Sequence, residues 1–253
     1  SSVVAPVAAQ DSDLIEVTWT VRNNGPDDIT IPWVDRVYLA PTSNPLDRTP
    51  IADFFRADGL VAGKTHTRTE IVRVPKQSGL FQFFVETDAT RRLAEANESN
   101  NLFPSQPITV TLRPRPDLQV TRIESPQQVT AGAVIDVNFV VTNLGSAATP
   151  TGGSRWFDRV WLSLDNRLGG DILLGELPNG SALAVGQNYS TSGVFGLPEA
   201  VAGNVFIIVQ TDARGTVDEF PQDGNNTFVV PLAVDAVPVP PPDLVVTSVA
   251  APL

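Results

Sequence analysis

Asp165, Asn166 and Asp171 place three oxygen-bearing side chains in one short polar stretch, Leu164-Asp-Asn-Arg-Leu-Gly-Gly-Asp-Ile-Leu-Leu174. The chemistry open to such residues is capture of a hard cation, because Ca²⁺ collects about six to eight oxygens from carboxylates, amides and backbone carbonyls. A second acidic constellation occurs twice, as Asp88…Glu95…Asn100-Asn101 and as Asp212…Glu219…Asn225-Asn226. Neither spacing supplies the central glycine and closing bidentate glutamate of an EF-hand loop. Asp and Asn also accept backbone N–H groups and cap turns at strand ends with no metal present. The expectation is turn capping and no cofactor, with Asp165, Asn166 and Asp171 as the candidate Ca²⁺ ligands.

Catalysis needs residue types that this chain lacks or does not repeat. It has no cysteine, which excludes thiolate nucleophiles, disulfides and thiolate metal sites. The one histidine, His66, is expected to be an exposed strand residue, and it aligns with Tyr189 in a second copy of the same segment. No nucleophile elbow, phosphate loop or dinucleotide fingerprint occurs. A Lys–Asn cross-link fails as well, because Lys64 and Lys76 are replaced by Gln187 and Glu199 at the matching positions. The chain is expected not to be an enzyme. Arg36, Tyr38, Arg159 and Trp161 offer a different use: aromatic rings flanked by guanidinium groups can stack on a sugar or a protein partner. Packing between sheets or domains employs such residues equally well.

These side chains are positioned by strands that occur in duplicate. Trp33-Val-Asp-Arg-Val-Tyr-Leu-Ala40 and Trp156-Phe-Asp-Arg-Val-Trp-Leu-Ser163 share five of eight residues. Read with period 2, Trp, Asp, Val and Leu face one way and the intervening residues the other. Trp33, Asp35, Val37 and Leu39, with their copies, are therefore expected to point into a core. A buried carboxylate needs partners, and Arg on a neighbouring strand or backbone N–H groups are the expected donors for Asp35 and Asp158. Leu14–Asn23 and Val134–Asn143 alternate in the same way, and each stops at a glycine, Gly25 or Gly145. Asn and Gly tolerate positive φ, so a tight turn is expected there. Leu80–Val85 and Val205–Val209 are the most apolar runs and read as core strands.

With 22 prolines and 18 glycines, and no long helix-periodic stretch, the chain reads as all-β. About seven short strands per unit predict two tandem immunoglobulin-like β-sandwich domains. The expected bounds are 1–113, 114–235, and 236–253 for a Pro-rich linker with the first strand of a third repeat. Proline-rich connectors at Arg113–Pro116 and Val237–Pro242 favour extended backbone and hold neighbouring units apart. The net charge of −11 repels phosphate backbones, so no nucleic acid is expected. No apolar run approaches the length of a spanning helix, so no membrane insertion is expected.

The succession Pro116-Asp-Leu-Gln-Val120, Val141-Thr-Asn-Leu-Gly145, Trp156-x-Asp-x-Val-x-Leu-Ser-x-Asp165 and Thr211-Asp-Ala213, followed by Glu219 and Asn225-Asn226, resembles the CARDB domain, the cell-adhesion-related domain found in bacteria. Repeat 2 carries the whole pattern. Repeat 1 departs at Thr42, which stands where repeat 2 has Asp165, and its match starts within the first strand. The resemblance implies modules of extracellular or cell-surface proteins. The expected function is a non-catalytic spacer or adhesion module. The alternative is a carbohydrate- or calcium-binding accessory module of a larger extracellular enzyme. Expected partners are neighbouring repeats and a surface protein or glycan, together with weak head-to-tail self-association. In that association Asp243–Val249 of one molecule adds as a strand to repeat 1 of the next, since repeat 1 lacks the Pro-Asp-Leu-x-Val lead-in.

Overall fold

The computed structural model describes residues 2–151, 156–238 and 242–249. It divides into two compact units, Ser1–Arg113 and Pro114–Leu253. Each unit is a sandwich of a three-stranded and a five-stranded sheet, with no helix among the described residues. No helix is therefore long and apolar enough to cross a membrane.

In repeat 1 the strands are β1 (Ser2–Val4), β2 (Ala8–Gln10), β3 (Leu14–Arg22), β4 (Trp33–Pro41), β5 (Thr49–Arg56), β6 (Thr65–Arg73), β7 (Gly79–Glu86) and β8 (Leu102–Thr111). One sheet has the order β1-β3-β6 and the other β2-β8-β7-β4-β5. Repeat 2 has the same order, strand for strand. Its strands are β9 (Leu118–Glu124), β10 (Gln128–Thr130), β11 (Val134–Asn143), β12 (Trp156–Ser163), β13 (Ile172–Asn179), β14 (Asn188–Gly196), β15 (Gly203–Gln210) and β16 (Thr227–Asp235). All pairings are antiparallel except the short β2–β8 and β10–β16 ladders, which are parallel.

The period-2 pattern places the core as expected. Trp33, Asp35, Val37 and Leu39 are buried in repeat 1, and Trp156, Asp158, Val160 and Leu162 in repeat 2. Each buried aromatic or branched side chain stabilises its sandwich by about 1.5–3 kcal/mol. The apolar strands β7 and β15 occupy interior places in their sheets, where both neighbours and the opposite sheet cover them. A bulge interrupts the pairing with β5 at Val37/Tyr38, and a second interrupts that with β13 at Val160/Trp161, the matching point of the copy.

Three local expectations are corrected. Gly25 and Gly145 do not have positive φ; the glycines that do include Gly63 (φ 72) and Gly186 (φ 75), in the turns before β6 and β14. Gly145 is needed for space instead, since a Cβ there would lie 2.4 Å from the Arg115 carbonyl oxygen and 2.5 Å from the Asp117 nitrogen. The connector Arg113–Pro116 is not all spacer, because Arg115 and Pro116 are buried in repeat 2, with Arg115 Nε 3.2 Å from Asp218 Oδ2. Residues 242–249 form no strand and are exposed, for a lone strand has no partner to satisfy its backbone. Residues 239–241 of the second connector and 250–253 of the third start lie outside the described residues.

Candidate functional site

The inward carboxylates of β4 and β12 tie the two sheets together. Asp35 is fully buried and accepts three hydrogen bonds: from Trp33 Nε1 (2.9 Å), Trp19 Nε1 (2.9 Å) and Thr87 Oγ1 (2.7 Å). Trp19 lies on β3, in the opposite sheet, so the bond crosses the sandwich. In repeat 2 the residue matching Trp19 is Phe139, which has no N–H to give. Tyr189 supplies the donor from β14. Its hydroxyl bonds Asp158 Oδ2 and accepts the Trp156 indole N–H at 3.1 Å. Tyr189 pairs with Val141 as His66 pairs with Val21, so the two donors reach equivalent carboxylates from different strands of the three-stranded sheet of their own repeat.

The Asp212 backbone N–H favours the charged form of Asp158, as expected of a backbone donor, while the expected Arg is replaced by indole and hydroxyl groups. These are neutral and can enter a core without importing a second charge. Burial still pushes Asp158 up to about 6, partly offset by Tyr189 and Thr211. Thr211 Oγ1 and Asp158 Oδ1 have no partner of hydrogen-bonding geometry among the described residues, although Thr211 stands close enough to lower that pKa. His66 is half-buried rather than exposed, and burial followed by the nearby Arg56 lowers its pKa.

The duplicated acidic loops are built on backbone amides. Asp88 and Asp212 sit in the left-handed region (φ 47 and 42), where the carboxylate turns back over its own loop. Asp88 accepts the N–H groups of Arg92 and Leu93, both at 2.9 Å. Asp212 accepts those of Thr216 (2.9 Å) and Val217 (2.8 Å). Farther along, Glu219 is buried and accepts bonds from the Leu118 backbone N–H and from Asn226 Nδ2. It fastens the first strand of the repeat to the loop before the last. Burial pushes Glu219 up to about 7, with the charges of Asp212 and Asp117 adding to the rise and the two donors opposing it. Its counterpart Glu95 accepts Asn101 Nδ2 at 2.9 Å and is half-buried.

Asn143 completes the fastening. Its Oδ1 accepts Gly145 N–H (3.0 Å) and Asp117 N–H (3.1 Å), while its Nδ2 donates to the Ala147 (2.8 Å) and Leu183 (3.2 Å) carbonyls. The sequence presented this loop as a store of oxygens and left unseen that a backbone N–H would be the ligand. The signal available was the co-occurrence, in repeat 2, of a complete Pro-Asp-Leu lead-in with the loop glutamate.

Asp165, Asn166 and Asp171 lie in the turn between β12 and β13. Asp165 Oδ1 accepts Arg167 N–H at 2.8 Å, and Asp171 Oδ2 accepts Gly169 N–H at 2.7 Å. Among the described residues no group of three or more His, Cys, Asp or Glu is arranged to hold a metal ion. Arg36, Tyr38, Arg159 and Trp161 lie on the outer faces of the five-stranded sheets, half-buried, two in each repeat. Arg36 forks onto Asp53 (2.5 and 2.7 Å), and Tyr38 donates to Glu86 at 2.6 Å. Arg159 pairs with Glu176 at 2.8 Å and lies 5.8 Å from the Trp161 ring centroid, while Arg214, bound to the same glutamate, lies 3.6 Å from the Phe157 ring centroid.

The fold and these fastenings define a class: tandem β-sandwich modules in which buried acids hold one strand to another. The CARDB family model matches residues 1–105 and 115–230, and the chain belongs to the CARDB family. Among solved structures it is similar to the CARDB domain of a Pyrococcus furiosus protein in complex with di-metal ions, at 22% identity over 47% of this chain and 89% of that one, with a TM-score of 0.36. Fibronectin(III)-like modules of Clostridium thermocellum match at 13% identity over 92% of this chain and 91% of theirs, with a TM-score of 0.28. Red sea bream transglutaminase matches at 14% identity, over 93% of this chain and 31% of that one, with a TM-score of 0.34. Comparison with curated proteins gives no match.

Proposed function

We propose that the two sandwiches are non-catalytic modules of an extracellular or cell-surface protein, serving as spacer and adhesion units. The observation that carries this reading is the employment of the acids. In both repeats the inward carboxylates, buried or half-buried, accept indole, hydroxyl, amide or backbone donors that hold one segment to another. An acid committed in that way has little freedom for proton transfer to a substrate. The net charge of −11 disfavours a nucleic-acid partner.

The second reading, a carbohydrate-binding accessory module, draws on Tyr38 and Trp161, whose rings stand on outer sheet faces beside arginines already held by carboxylates. Titration calorimetry of the 253-residue chain against a glycan panel separates the two. The spacer reading expects no heat with any glycan. Heat that disappears in Trp161→Ala or Tyr38→Ala would replace it with the accessory-module reading.

A further inference from the structure

In both repeats a short strand near the start lies side by side, and parallel, with the last strand. In repeat 2, β10 pairs with β16 through Gln128 with Ala233, Val129 with Val234 and Thr130 with Asp235. In repeat 1, β2 pairs with β8 through Ala8 with Thr109, Ala9 with Val110 and Gln10 with Thr111. Further backbone bonds extend each seam at both ends. The Ala233 N–H donates to the Gln127 carbonyl at 3.0 Å and the Ala131 N–H to the Asp235 carbonyl at 2.8 Å. In repeat 1 the Thr109 N–H donates to Val7 at 2.9 Å and the Asp11 N–H to Thr111 at 2.8 Å.

The chain enters and leaves a repeat at opposite ends of its sandwich. In repeat 2 the entering strand β9 starts with Leu118 beside Asn143, the last residue of β11. The leaving strand β16 ends with Asp235 beside Thr130, just before the turn into Val134, the first residue of β11. Entry and exit are thus separated by the length of β11, ten residues or about 30 Å. Repeat 1 is laid out alike, with β3 between the two ends: β1 pairs with Thr18–Thr20, and the seam closes at Gln10 and Thr111, just before Leu14. Tension along the chain therefore draws the two strands of a seam in opposite directions along their own axes. All bonds of the seam are then loaded together and must fail together, whereas a pair of strands parted from one end gives up its bonds singly.

Repeat 1 carries a clasp across its seam that repeat 2 lacks. Arg113, two residues beyond the seam, reaches back to the turn that follows β2. Its backbone N–H donates to Asp11 Oδ1 at 2.7 Å, its Nε to the Asp11 carbonyl at 2.9 Å and its Nη2 to Asp13 Oδ1 at 2.9 Å. Asp11 is fully buried. Bonds between charged groups are about twice as strong as neutral ones. The counterparts of Asp11, Asp13 and Arg113 in repeat 2 are Ala131, Ala133 and Val237, whose side chains offer neither donor nor acceptor. There the side-chain bond across the seam runs from Gln128 Nε2 to Asp235 Oδ2 at 2.7 Å.

We propose that the two parallel seams are mechanical clamps, sheared when the chain is under tension, and that the Asp11, Asp13 and Arg113 clasp makes repeat 1 the more resistant unit. The use of the clamps rests on the spacer reading, since a tether to a partner carries force; their existence does not. Under force a fold lasts according to its unfolding rate, not its equilibrium stability. A short seam placed where the whole tension passes therefore counts for more than its three residue pairs contribute at rest.

The test is single-molecule force spectroscopy of the 253-residue chain. Pulled by its two ends, it should unfold in two events at different forces, one per repeat. Arg113→Leu keeps the backbone N–H on Asp11 and removes both guanidinium bonds. It should lower the higher event and leave the lower one, with repeat 1 unfolding about tenfold or more faster at a fixed force. Ala133→Asp together with Val237→Arg builds the ionic half of the clasp into repeat 2 and should raise the lower event. The chain has no cysteine, so an introduced pair of thiols defines a second axis of pulling. Thr130→Cys with Val237→Cys, both exposed and at one end of the seam, applies the force across it. Repeat 2 should then part at a much smaller force than in the end-to-end pull. This comparison uses one folded unit along two axes, so a general loss of stability does not imitate it. Equal forces for repeat 2 along both axes, or a higher event unmoved by Arg113→Leu, would each overturn the proposal. Glycan binding that replaced the spacer reading would leave the axis dependence standing, which separates the two failures.

Discussion

Asp35 and Asp158 occupy equivalent places and solve burial with different donors. Trp19 with Trp33 serves the first, and a relay from Trp156 through Tyr189 serves the second. The inward direction of both acids was legible, because period 2 fixes which face a residue joins. Their donors were not, since Trp19 and Tyr189 come from the opposite sheet and nothing in local spacing links them to the acid. Tyr189→Phe should strand both Asp158 and the Trp156 indole and cost repeat 2 about 1–3 kcal/mol in denaturant unfolding. His66→Phe should cost much less, because Asp35 is satisfied without His66. A second expectation concerns pH. Asp158 and Glu219 have folded-state pKa values of about 6 and about 7, raised from 3.8 and 4.5. Between roughly pH 4 and 7 the folded repeat therefore holds protons that the unfolded chain has released, and its stability falls as pH rises through the folded values. The melting temperature of repeat 2 should rise on going from pH 7.5 to 5.5. Glu219→Gln keeps an acceptor for the Leu118 N–H and removes the charge, so it should flatten that rise.

Strands were the most legible elements, because one face of each is buried and a one-residue slip would expose Val37 and Leu39 or Val160 and Leu162. The three-residue ladders β2 and β10 were not legible, being too short to show a period. Asp243–Val249 has the composition of a strand and forms none, since a strand exists only where a neighbour pairs with it. Gly25 and Gly145 teach a related lesson. The same residue type in the same motif meets the lead-in backbone in one repeat and open space in the other. Gly145→Ala should therefore force the Arg115–Asp117 backbone away and destabilise repeat 2 by about 1–3 kcal/mol, the usual range for overpacking. In the 253-residue chain Gly25→Ala should cost less, because the added Cβ meets only the Asn23 side-chain oxygen, at 3.2 Å. Thermal unfolding of the two variants side by side checks the contrast, and equal losses would mean that the glycines serve the turn rather than the strand above it.

At the scale of the whole chain, duplication is what made the architecture readable, since each strand could be checked against its copy. Function was less readable for a physical reason: Asp and Asn are equally suited to ligating a cation and to capping a turn, and sequence spacing does not show where the nearest N–H lies. In the structure Asp165 and Asp171 each already accept an amide of their own turn. A Ca²⁺ ion would have to compete for those oxygens and find several more, and the copy in repeat 1 has Thr42 at the position of Asp165. A ligand that binds only the folded state raises its stability by mass action, about 2.7 kcal/mol at a hundred times its dissociation constant. Millimolar Ca²⁺ is therefore expected to leave the melting temperatures of both repeats where a chelator leaves them. A rise confined to repeat 2, abolished by Asp165→Ala, would make the turn a cation site and put its amide bonds in second place. A rise in both repeats would move attention to the loops at Asp88 and Asp212, whose carboxylates now close on backbone N–H groups.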